Sequence, residues 1–179
     1  MRSPLGKAVR DSFSRKMLEE LPQFLLTTAK QPLPGDLLYV WNFAQDLRFY
    51  IYLEISQKSY EDSFTVELAC SPNDFPFSHA ALGTAPQKEG IVRFRLPQLY
   101  RDEWRPRTGW EPRWWIGAPI LPEEVTSKAV ARAVAGKRSL MDEHLPIELA
   151  LSLVEPQVLD AIDRLKRFGF PFFNKFSQR

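Results

Sequence analysis

The sequence is poor in the residues that do most metal and redox chemistry, with one cysteine, Cys70, and two histidines, His79 and His144. A single thiol cannot build an internal disulfide framework or a multi-cysteine metal site, and it fits a reducing compartment. Neither histidine has a second one at metal-ligand spacing. Met141 to His144 (MDEH) bunches three potential ligands, but consecutive side chains diverge, so no metal is expected there. The eight glycines are isolated from one another, which leaves no fingerprint for a dinucleotide and no phosphate-binding loop. No cofactor is expected.

Long hydrophobic runs are lacking as well. No stretch reaches the ~18 apolar residues of a membrane span, and the leading MRSPLGKAVRDSF has no apolar run of the kind a secretory signal carries. The expectation is a cytoplasmic protein without membrane association. An excess of charge is also missing: 24 basic residues stand against 22 acidic ones, a net +2. That balance does not call for a polyanionic partner over the whole surface, so any electrostatic role is local.

Apolar material is plentiful, at 44% hydrophobic and 13% aromatic residues in a chain of 179. This is enough to offset chain entropy and predicts a single globular domain. Fifteen prolines exceed the usual ~5% share and punctuate the chain, because proline ends helices and is excluded from central strands. Between Pro4 and Pro22, Val9, Phe13, Met17 and Leu21 recur at every fourth position behind a Ser3-Pro4 start, which predicts a helix.

From Gly35 to Ser71, where proline is absent, the period changes to two. Leu37, Tyr39, Trp41 and Phe43 alternate along one segment, and Phe49, Ile51, Leu53 and Ile55 along the next. Phe64, Val66, Leu68 and Cys70 follow, then Val92, Phe94 and Leu96. Four alternating segments with short connections predict an antiparallel sheet with one covered face. Its other face would carry Tyr50, Tyr52, Glu54, Thr65, Glu67, Arg93 and Arg95, a polar and aromatic surface open to water or a ligand. The connection from Ser71 to Gly90 is rich in turn formers and long enough to suggest a lid or contact loop.

Toward the C-terminus, Pro122 opens a helix closed by Gly136, and a further helix runs from Pro156 to Gly169. Pro146 to Val154 fits period two by its pattern and a helix by its composition, and composition is given the greater weight. The tail FGFPFFNKF holds five phenylalanines and is expected to dock on the body. The resulting fold class is α+β: an N-terminal helix, an antiparallel sheet of four or five strands, and two or three C-terminal helices packed on one face.

Few residues offer chemistry. Cys70 alternates with core residues and reads as a small hydrophobe, and His79 sits in the long loop without an evident partner. Glu54 and Glu67 would be diagonal neighbours across a hairpin, roughly 7 to 8 Å apart, a separation that suits an inverting hydrolase. Arg93 and Arg95 on the same face favour a solvated lattice of alternating charge instead.

The most concentrated feature is RDEWRPRTGWEPRWWIG (Arg101 to Gly117), with four tryptophans and four arginines. Arginine contacts to phosphate and indole stacking would suit single-stranded nucleic acid. However, Asp102, Glu103 and Glu111 leave the segment at only +1, so a protein interface or sheet edge is preferred over nucleic acid. Trp114 and Trp115 are expected on a fifth, edge strand with their indoles on opposite faces. Trp104 and Trp110, beside Pro106 and Pro112, would lie in the preceding loop and are the indoles expected to meet a partner.

The order of motifs carries a resemblance. DLLYVWNFAQDLRFYIYLEISQKSYEDSFTVELACS, then VRFRLPQLYRDEW, RWWIG and a terminal helix running into GFPFF resemble uncharacterised bacterial proteins of the domain of unknown function 4304 family. The resemblance spans Leu37 to Phe173 and implies a fold without implying catalytic residues. The leading functional expectation is a non-enzymatic protein-interaction module, of accessory or immunity type. The alternatives are a nucleic-acid binder acting through the Trp/Arg segment and a hydrolase using Glu54 and Glu67.

Overall fold

A computed structural model describes residues 4–27, 36–56, 63–71, 92–100, 114–116 and 145–177. Helix α1 (Pro4–Glu20) buries Leu5, Ala8, Val9, Ser12, Phe13 and Met17, the single stripe that the every-fourth spacing implies. Five strands follow: β1 (Leu25–Leu26), β2 (Leu37–Ala44), β3 (Leu47–Ile55), β4 (Ser63–Ser71) and β5 (Val92–Arg95). They pair antiparallel in the order β1-β2-β3-β4-β5. The chain is therefore α+β.

β5 runs into a 3-10 turn (Leu96–Tyr100), and a short piece, β6 (Trp114–Trp115), pairs with Ser63 and Phe64 of β4. β5 occupies Glu67 to Cys70 of the same strand, so β5 and β6 share the edge of β4 that β3 leaves free. Trp114 stands on a strand as expected and points into the core, where its ring stacks on Phe64 at 5.5 Å. The two-residue β1 has no counterpart in the sequence reading, because two leucines beside a turn are too short to show a period.

The face that was expected to be covered is covered over the central strands, while Phe43 at the end of β2 and Phe94 on β5 stay exposed. Tyr39, Phe49, Ile51, Leu53, Phe64, Val66, Leu68 and Cys70 form one core with α1 and the C-terminal helices. Each is a consequence of strand alternation, which sends every second side chain to the same side. Full burial of a large apolar side chain stabilises by about 1.5–3 kcal/mol.

The C-terminal region differs from expectation at one proline, Pro156, and one glycine, Gly169. Helix α2 begins at Ile147, directly after Pro146, and runs unbroken to Arg164 through Pro156. The stretch from Pro146 to Val154 is thus helical, and Pro156 does not open a new helix. Proline within a helix costs about 3 kcal/mol, but Ala150 and Val154 before it and Val158, Ala161 and Ile162 after it lie on one buried stripe. Packing on both sides of Pro156 holds the two halves in line.

Gly169 does not close the helix either. A π turn (Leu165–Gly169) links α2 to α3 (Phe170–Ser177), with the Phe170 N–H bonded to the Leu165 carbonyl. Pro171 supplies a reason for the wide turn. It has no N–H to give, and in a regular helix its ring would strike the carbonyl of Arg167. Gly169 is needed for proximity: a Cβ there would lie 2.9 Å from Leu165 Cδ1 and 3.3 Å from Leu68 Cδ1.

The phenylalanine tail docks as expected. Phe173 stacks on Phe49 with ring centroids 4.6 Å apart, and Phe24, Trp41 and Phe170 surround the pair. The helix expected from Pro122 to Gly136 and the long loop after Ser71 lie outside the described residues.

Candidate functional site

The second face of the sheet gathers most of the chain's candidate polar residues. Asp36 immediately precedes β2 and shares the parity of Leu38; Tyr50, Tyr52 and Glu54 come from β3; Ser63, Thr65, Glu67 and Ala69 come from β4; and Arg95 ends β5. The register sets their neighbours. Tyr52 is opposite Leu38 on one side and Glu67 on the other, Glu54 is opposite Thr65, and Glu67 is opposite Arg95. Glu54 and Glu67 are therefore diagonal neighbours, as the hairpin requires.

This face is not the solvated surface that its residue types suggested. Tyr52 and Thr65 are fully buried, and Asp36 and Glu67 are each 3% exposed. Leu38, Tyr50, Tyr52 and Ala69 make a second apolar cluster with Val40 packed beside it, so both sides of the central strands are closed. Glu54 is half-buried.

Buried polar groups are hydrogen-bonded as a rule, and here Tyr52 bonds to Asp36 and Arg95 to Glu67, while the buried Ser63 hydroxyl has no hydrogen-bond partner among the described residues. The Tyr52 hydroxyl donates a hydrogen bond to Asp36. The other Asp36 oxygen accepts the Ile55 N–H at 3.1 Å, which ties the start of β2 to the end of β3. Arg95 Nε donates to Glu67 Oε1 at 3.3 Å, joining β5 to β4.

The electrostatics of the cluster act on Tyr52. Burial pushes its phenol far above the ordinary tyrosine value, and the hydrogen bond to Asp36 and the charges of Asp36, Glu54 and Glu67 push it further. The neutral phenol is thus the stable form, and its role in the cluster is to donate a proton in a hydrogen bond. On the first face Tyr39 is also raised by burial, with the hydrogen bond to Ser14, 2.8 Å long, opposing the shift.

A second polar assembly fastens the other end of the core. Asp160 on α2 accepts the Trp114 indole N–H at 2.7 Å and Arg164 Nε at 2.9 Å, and the Arg164 guanidinium lies over the Tyr100 ring at 4.5 Å. This set ties β6 and the 3-10 turn to α2. The basic residues around it also have acidic partners: Lys166 reaches Glu20 on α1 at 2.5 Å, and Arg167 lies 3.9 Å from Asp163. A phosphate-tracking surface would leave such cations free of internal acids.

Of the residues singled out in the sequence, the structure brings Tyr52, Glu54, Glu67 and Arg95 together on one face. The backbone of Arg93 pairs with Ala69 on the same strand pair, while its side chain lies outside the described residues. His79, Trp104 and Trp110 lie outside them too, as does the Trp115 side chain. Cys70 is buried in the first core. Asp36 was missed, because PGD reads as turn chemistry; its parity with Leu38 was the signal that would have placed it beside Tyr52.

Among the described residues no three His, Cys, Asp or Glu side chains are gathered as a metal-ligand set, and no helix is long and apolar enough to cross a membrane. The cluster can hold strands in register and keep Tyr52 neutral. Compared with known proteins, the chain matches no family model, no curated protein and no solved structure.

Proposed function

We propose that the protein is a non-enzymatic interaction module of accessory or immunity type that acts through a protein partner in the cytoplasm. The observation that carries this reading is the withdrawal of Asp36, Tyr52 and Glu67, on the polar face of the sheet, from solvent. A general acid or base has to come within hydrogen-bond reach of its substrate, and Asp36, Tyr52 and Glu67 are buried and engaged with protein groups. Two carboxylates at inverting-hydrolase separation are useful only where a water and a sugar can enter between them. Glu67 instead spends one oxygen on Arg95.

The partner surface falls to Trp104 and Trp110, since indole buries much area at little entropic cost and is enriched where partners bind. The resemblance to the domain of unknown function 4304 family is compatible with this reading and assigns no chemistry against it. Wild-type protein offered a library of glycans, esters and phosphates is expected to turn over none of them. Turnover that disappears in Glu54→Gln or Glu67→Gln overturns the proposal. A protein partner bound by wild type and released by Trp104→Ala or Trp110→Ala, at unchanged thermal stability, is the supporting result. Salt-sensitive binding of single-stranded oligonucleotides, weakened by those same substitutions, would assign the segment to nucleic acid.

A further inference from the structure

We draw no further inference here: the strongest candidate, the exposed leucines Leu25 and Leu26 on the edge strand β1 and Leu18 near the end of α1, is an apolar surface among the described residues, and nothing in the structure shows what covers it.

Discussion

On one side of β3, Phe49, Ile51, Leu53 and Ile55 meet α1 and the phenylalanine tail; on the other, Tyr50, Tyr52 and Glu54 meet Leu38, Asp36, Thr65 and Glu67. Both sides are buried, but they are held by different forces. The first is apolar along β3 and dominated by such contacts, with Tyr39 hydrogen-bonded to Ser14 beside it, and tolerates exchange of similar shapes, because dispersion and the hydrophobic effect have little directionality. The second depends on pairs: Asp36 with Tyr52 and the Ile55 N–H, and Glu67 with Arg95. A lost partner there leaves a buried polar group unsatisfied, which costs more than the bond itself is worth. The first face should therefore respond to volume and the second to hydrogen-bonding capacity.

The largest effect is expected on the apolar side. Phe173→Ala removes the ring stacked on Phe49 at full burial and should cost about 3–5 kcal/mol in urea unfolding. A loss below about 1 kcal/mol would mean that the tail is not part of the core.

Tyr52→Phe keeps the shape and deletes only the hydroxyl, so a volume-driven face would not notice it. We expect a loss of about 1–3 kcal/mol from the buried Asp36 oxygen that loses the Tyr52 donor. The alkaline limb of the stability profile sharpens this. A phenol whose folded-state pKa is raised contributes stability that is intact below its unfolded value, about 10, and is lost as pH climbs above it, because the unfolded chain releases the proton first. Tyr52→Phe should therefore flatten the decline above that pH, and an unchanged slope would show that Tyr52 is not the group responsible.

Gly169→Ala probes the tight approach of the helix to β4. Overpacking costs about 1–3 kcal/mol, and alanine returns about 1 kcal/mol of helix propensity. The net loss expected in thermal unfolding is on the order of 1 kcal/mol, because Leu165 and Leu68 are both fully buried and have little room to give. A gain in stability would show that the π turn relaxes on demand. The smallest effect belongs to Arg15→Ala: its pair with Glu155 spans α1 and α2 at 2.7 Å, but both side chains are about half exposed, and such pairs contribute no more than about 1 kcal/mol.

The sequence made the first face legible in detail. Alternation placed Phe49, Ile51, Leu53, Phe64, Val66 and Leu68 inward, four-residue spacing placed Phe13 and Met17 on α1, and consecutive-residue geometry sent one of Trp114 and Trp115 inward without saying which; the structure puts Trp114 there. The second face was legible in membership and not in exposure. Periodicity says which residues share a side, but nothing about what lies over it, and Tyr52, Thr65 and Glu67 have residue types that water usually meets. The helix end was misread for a related reason. Pro156 and Gly169 are local breakers, and the buried stripe that overrides them becomes visible only once α2 is laid along the sheet.

The nature of the second face turns on Glu67. A carboxylate kept for catalysis is commonly a strain on the fold, so neutralising it leaves stability unchanged or raised; a carboxylate kept for pairing does the opposite. The unfolding free energy of Glu67→Gln relative to wild type, measured by urea titration at neutral pH, separates the two. A structural role opposite Arg95 predicts a loss of about 1–3 kcal/mol. A variant as stable as wild type or more so would contradict it and return Glu67 to the active-site candidates.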